Sequence, residues 1–115
     1  MIYKEREAED SRRLTILLDN AILHPGQAVA SPARSQSFER LVSEAATAAL
    51  DFLARGQEVE LVTRDGWIPS GRGPRQRLKL LETLALLDPR PSVDQPLAGG
   101  EPGGRRLVLT LAEAA

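Results

Sequence analysis

The chain has 115 residues, 42% of them hydrophobic but only 3% aromatic, and a net charge of −1. This is one small domain or part of a larger one, with a core of Leu, Val, Ile and Ala and no global electrostatic case for nucleic acid. The absence of cysteine excludes disulfides and thiolate metal sites, and the single histidine, His24, argues against a histidine-based zinc site. No apolar run approaches the roughly 20 residues of a bilayer span. Met1-Ile2-Tyr3-Lys4 lacks the apolar core of a signal peptide. The chain reads as cytoplasmic, with membrane association only through a region outside it.

Residues 1–11 form a charged lead-in of mixed sign, Lys4-Glu5-Arg6-Glu7-Ala8-Glu9-Asp10, expected as a solvated edge or linker. The domain proper spans 12–115. Leu14 to Asp19 follows two arginines as a short apolar run that fits a strand buried on both faces. Its last residue is a carboxylate. In open α/β sheets ligands bind beyond the carboxyl ends of the central strands, so Asp19 is either a cation or hydroxyl ligand or a polar cap on the next loop. Asn20 to Ser37, with Pro25, Gly26, Pro32 and three serines, reads as a long loop.

Phe38 to Arg55 places Phe38, Leu41, Val42, Ala45, Ala46, Ala49, Phe52 and Leu53 at helical spacing. Ser37 is the candidate N-cap and Gly56 the C-cap. Glu58 to Thr63 alternates polar and apolar as a strand does, Arg64-Asp65-Gly66 reads as a turn, and Trp67-Ile68-Pro69 returns as an edge strand. Pro74 opens a second helix with Leu78, Leu81, Leu84 and Ala85 inward and Leu80 and Leu87 as further candidates, ended by Asp88-Pro89. Arg90 to Gly104 is a Pro/Gly-rich loop. Arg105 to Leu111 then repeats the grammar of the first strand and reads as its parallel neighbour. Right-handed crossovers put the hairpin on one side of the first strand and the last strand on the other, which makes Asp19 the neighbour of a topological switch point.

Tyr3-Lys4-Glu5-Arg6 leading into Arg12-Arg13-Leu14-Thr15-Ile16-Leu17-Leu18-Asp19 resembles the bacterial family called domain of unknown function 58. So do Phe38-Glu39-Arg40-Leu41-Val42-Ser43-Glu44-Ala45-Ala46, Gly56-Gln57-Glu58-Val59-Glu60-Leu61-Val62-Thr63 and the helix from Pro74 to Ala85. The resemblance covers most of the chain. It implies a Rossmann-like, von Willebrand factor A-type three-layer sandwich. Here that sandwich is partial, with a mostly parallel sheet and an antiparallel edge, since a complete A-type domain continues past Ala115. It also implies a non-enzymatic interaction scaffold working with a MoxR-type AAA+ ATPase.

A metal-competent A-type domain places Asp-x-Ser-x-Ser after the first strand, because a carboxylate and two hydroxyls suit hard Mg²⁺. Here the positions read Asp19-Asn20-Ala21-Ile22-Leu23, and neither a methyl nor an isobutyl group coordinates a cation. The resemblance therefore implies a vestigial ligand site at Asp19 and Asn20, without bound metal, with Glu113 the only carboxylate after the last strand. A sheet that stops at Leu107 to Leu111 leaves an open edge, and self-association or a partner is expected to cover it.

Catalysis needs a nucleophile with a base, paired carboxylates or a metal, and the chain offers none, so no enzyme is expected. Gly71-Arg72-Gly73-Pro74-Arg75-Gln76 starts like a dinucleotide fingerprint but lacks the third glycine and follows a hairpin. Arg72, Arg75, Arg77 and Lys79 give an alternative reading, a basic helix meeting nucleic acid or an anionic ligand. No aromatic interleaving supports base stacking. Loops rich in Pro, Gly and Ser suit a binding module, with His24, Arg34 and Trp67 as candidate partner contacts.

Overall fold

The computed structural model describes residues 2–4, 12–23, 32–91 and 95–110. Its strands are β1 (Ile2–Lys4), β2 (Arg13–Leu18), β3 (Ala21–Leu23), β4 (Glu58–Val62), β5 (Trp67–Gly71), β6 (Arg90–Pro91) and β7 (Arg105–Leu109). Two helices, α1 (Pro32–Ala54) and α2 (Pro74–Leu86), complete the order. The main sheet runs β1-β7-β2-β4-β5. Strand β2 is parallel to both β4 and β7, while β1 and β5 are antiparallel edges. This is an α/β fold with a mostly parallel sheet, compatible with a Rossmann-like architecture. The hairpin and the last strand flank β2 on opposite sides, as their connections require.

Register divides the sheet into two faces. Leu14 stands beside Val59, and Ile16 beside both Leu61 and Leu107, so these residues point the same way. They join Leu18 and Leu109 in one apolar core with Phe38, Leu41, Ala45 and Ala49 of α1. Leu80 and Leu84 of α2 enter the same cluster, and the two helices pack on each other. Both helices therefore lie on one face. The expected three-layer sandwich is not formed by the described elements, because the chain beyond α2 lacks the apolar periodicity of a helix. Instead the segment 95–104 crosses the second face from the carboxyl end of the sheet to its amino end. A Cβ added to Gly99 would meet Val62 at 3.5 Å, one on Gly100 would meet Thr15 and Glu60, and one on Gly104 would meet Arg13.

Several boundaries differ from expectation. Ile2–Lys4 is an edge strand on β7, in register Tyr3 to Leu107, and the rest of the expected lead-in, 5–11, lies outside the described residues. The edge of β7 is thus covered by the same chain, which removes the reason given for self-association; Leu111 lies outside the described residues. Ala21–Leu23 is a strand paired with Arg90–Pro91, where a loop was expected on both sides. Helix α1 starts at Pro32, so Ser37 lies inside it and is not its N-cap. Its end follows the expectation: Gly56 at φ 76° donates to Leu53 O and Gln57 N–H to Phe52 O, the paired bonds of a Schellman turn. The buried side of α2 is Gln76, Leu80 and Leu84, whereas Leu78 and Ala85, expected inward, are exposed. Gln76 sets that rotation by donating from Nε2 to Val59 O at 2.8 Å and Pro69 O at 2.9 Å. Among the described residues no helix is long and apolar enough to cross a membrane.

Candidate functional site

Strand β2 ends between β4 and β7, so the residues after it sit at the centre of the sheet's carboxyl end. Asp19 donates its backbone N–H to Leu109 O at 2.9 Å, which fixes the chain as it leaves the sheet. Its carboxylate turns back: Oδ1 accepts the Ala21 N–H at 3.0 Å, the bond that turns the chain into β3. Arg64, arriving on the loop after the neighbouring β4, donates Nε to Oδ1 and Nη2 to Oδ2, both at 3.1 Å. A two-point guanidinium–carboxylate pair is among the strongest polar contacts a protein makes, and this one is only 18–20% exposed.

Asn20 is fully buried beside it and uses its whole amide. Nδ2 donates to Asp65 Oδ2 and to Asp88 O, both at 2.9 Å, and Oδ1 accepts the Arg64 N–H at 2.9 Å. Its own carbonyl accepts the Arg90 N–H at 2.6 Å, and Arg90 Nε donates to Asp65 Oδ1. Three loops, those after β2, β4 and α2, thus meet on one buried amide. The cluster is charge-balanced, with Asp19 and Asp65 against Arg64 and Arg90. Arg64 Nη2 also donates to Gln95 O at 2.6 Å, tying in the segment that goes on to cover the second face.

The bonds of this arrangement position the three loops against one another. Both oxygens of Asp19 accept bonds from Arg64, and Oδ1 also accepts the Ala21 N–H. The positions the resemblance assigns to hydroxyl ligands carry Ala21 and Leu23, now part of a strand. No group of three or more His, Cys, Asp or Glu side chains suited to a metal occurs among the described residues.

Of the other candidates, His24 and Glu113 lie outside the described residues, as does the side chain of Arg34, whose backbone belongs to α1. Trp67 is 57% exposed and donates its indole N–H to Glu60 Oε2, away from the Asp19 cluster. Arg72, Arg75, Arg77 and Lys79 are all exposed at the start of α2. The residues that sequence reasoning missed are Arg64, Asp65, Arg90 and Glu60. Arg64 and Asp65 read as turn residues. Their role becomes visible only when β4 is laid beside β2, which puts the two loops in contact. Glu60 is a polar position of an alternating strand and is fully buried. Compared with known proteins, the chain matches no family model, no curated protein and no solved structure.

Proposed function

We propose that the chain is a metal-independent protein-interaction module, non-enzymatic, built on part of a von Willebrand factor A-type sheet and serving a MoxR-type AAA+ ATPase. The observation that carries the metal-independent part is the engagement of both Asp19 oxygens by Arg64. A cation competes with Arg64 for that carboxylate, and the two following positions that would carry hydroxyl ligands are Ala21 and Leu23. The strand order, with Asp19 at the end of a central parallel strand and a hairpin strand antiparallel at the edge, supports the A-type reading. Binding then falls to side chains on loops held rigid by the sheet, with the half-exposed Trp67 indole a ready anchor.

Two measurements test this. The folded chain, immobilised and exposed to a lysate of its own cell with and without MgATP, is expected to retain a MoxR-type ATPase identified by mass spectrometry. A folded bait that retains no such ATPase sinks the partner assignment. Isothermal titration with Mg²⁺ is expected to give no saturable heat; saturable heat that disappears in Asp19→Ala would overturn the metal-independent reading.

A further inference from the structure

Segment 95–104 covers a sheet face without joining any strand ladder, so its backbone groups must find other partners. Side chains of the sheet and of the loop after β4 supply them. Gln95 O accepts Arg64 Nη2, Gly99 O accepts Arg106 Nη1 at 3.0 Å, and Pro102 O accepts Arg13 Nη2. At the middle, the Glu101 N–H donates to both oxygens of Glu60, at 3.0 and 3.1 Å. Glu60 is fully buried and also accepts the Thr15 hydroxyl at 2.8 Å and the Trp67 indole N–H.

The closure is therefore polar and directional. No residue of the segment belongs to the apolar core cluster, and seven of its ten residues are exposed. Four glycines, Gly99, Gly100, Gly103 and Gly104, hold φ between 74° and 137°, and a Cβ on Gly100 would come within 2.8 Å of Thr15 Cγ2. Lifting such a segment exchanges hydrogen bonds for water, leaves the apolar core cluster under the helices, exposes Val62 on the second face and restores the freedom of four glycines. Units of this kind open at far less cost than the fold itself.

We infer that residues 95–104 form a latched strap, with the Glu60 carboxylate as its catch, that opens as a unit while the sheet and both helices stay folded. Closed, it covers Thr15, Glu60 and Val62 and stiffens the carboxyl-end cluster, because Arg64 holds Gln95 O and Asp19 together. Open, it gives partners access to the second face of the sheet and releases one of the restraints on Arg64. The catch needs a carboxylate: two acceptor oxygens meet three donors from three directions, and an amide at that place would set an N–H₂ against another donor.

Native-state hydrogen exchange by NMR tests this, with the Glu101 amide as reporter and the amides of Ile16 and Leu61 as the core reference. In the wild type the Glu101 amide is expected to be protected about 100-fold over an unstructured chain, yet to exchange at least about tenfold faster than the core, with no dependence on low urea. Glu60→Gln and, independently, Gly100→Ala are expected to remove about tenfold or more of that protection while core rates change far less. Two results overturn the strap: a Glu101 amide unprotected in the wild type, or one that exchanges together with the core and with its urea dependence. Acceleration of the core as large as that of Glu101 in the Gly100→Ala chain does so as well.

Discussion

Asp19 is four-fifths shielded from water, a setting in which a carboxylate is costly unless partnered, and Arg64 is shielded to the same degree. Each neutralises the other, so losing either strands its partner. Asp19→Ala is expected to lower stability by about 2 kcal/mol, since it removes charge-assisted bonds and the acceptor for the Ala21 N–H. Asp19→Asn keeps that acceptor and should cost about half as much. In the double variant with Arg64→Ala the losses should fall short of the sum, the signature of a coupled pair. Urea midpoints at neutral pH measure all of these. Glu101, on the strap, gives a different lever. Ser70 beside it, whose N–H donates to Oε2 at 3.3 Å, with Arg13 behind, holds its carboxyl below the ordinary value of 4.5 against the opposing effect of desolvation. A carboxyl whose folded value is depressed contributes stability above its unfolded value and loses it as pH falls through the folded one. The difference in urea midpoint between wild type and Glu101→Gln should thus be present at neutral pH and vanish as pH falls below 4.5. At this scale the sequence disclosed Asp19, as the residue on which an apolar strand stops. It could not disclose Arg64, 45 residues away, because only strand order brings the two together.

Among the elements, helix α1 was legible in its apolar stripe and its glycine stop but not in its start. Pro32 to Ser37 has the composition of a loop, and the extra turn becomes favourable because proline's fixed φ suits a helix's first residue. At the other end Gly56 adopts φ 76° with open space around it, while Gly66, in the hairpin turn, does not adopt a positive φ. Gly56→Ala should therefore cost about 1 kcal/mol through backbone strain alone, and Gly66→Ala about nothing. Helix α2 shows why periodicity alone misjudges a face. Five leucines crowd its last three turns, and several stripes can be drawn through them. The choice is made by a polar residue: Gln76 seats on the carbonyls of Val59 and Pro69, and that anchor turns Leu80 and Leu84 inward. Leu80→Ala is expected to lose about 2–5 kcal/mol as a core cavity, whereas Leu78→Ala, at a site 58% exposed, should stay within about 0.5 kcal/mol. Thermal unfolding of the two variants decides whether the face is as described.

For the whole molecule, the order of elements carried the sheet, because short parallel connections leave few ways to arrange strand, helix, hairpin, helix and strand. What covers each face was not legible. A buried strand such as β2 announces apolar neighbours on both sides without saying whether they are helices, and a strap rich in glycine and proline carries no periodicity to read. The edge of the sheet was misjudged for a related reason: three residues before a charged run are too few to show a strand pattern, yet three suffice to pair with β7. That pairing has a consequence for the state of the protein in solution. An uncovered β7 would present unpaired N–H and C=O groups beside buried Leu107 and Leu109, which is the template for edge-to-edge association. With β1 in place the edge among the described residues is three residues long, a border too short to template much further pairing. Alternate residues of an edge strand point their N–H toward the sheet, so of Ile2 and Tyr3 one donates to β7 and the other does not. Proline at the donating position removes a ladder bond and should release β1, whereas proline at the other is tolerated on a free edge. Light scattering at micromolar concentration is expected to find a monomer for the wild type and for one of the two proline variants, and larger species for the other. Equal masses for both variants would mean that β1 does not guard this edge.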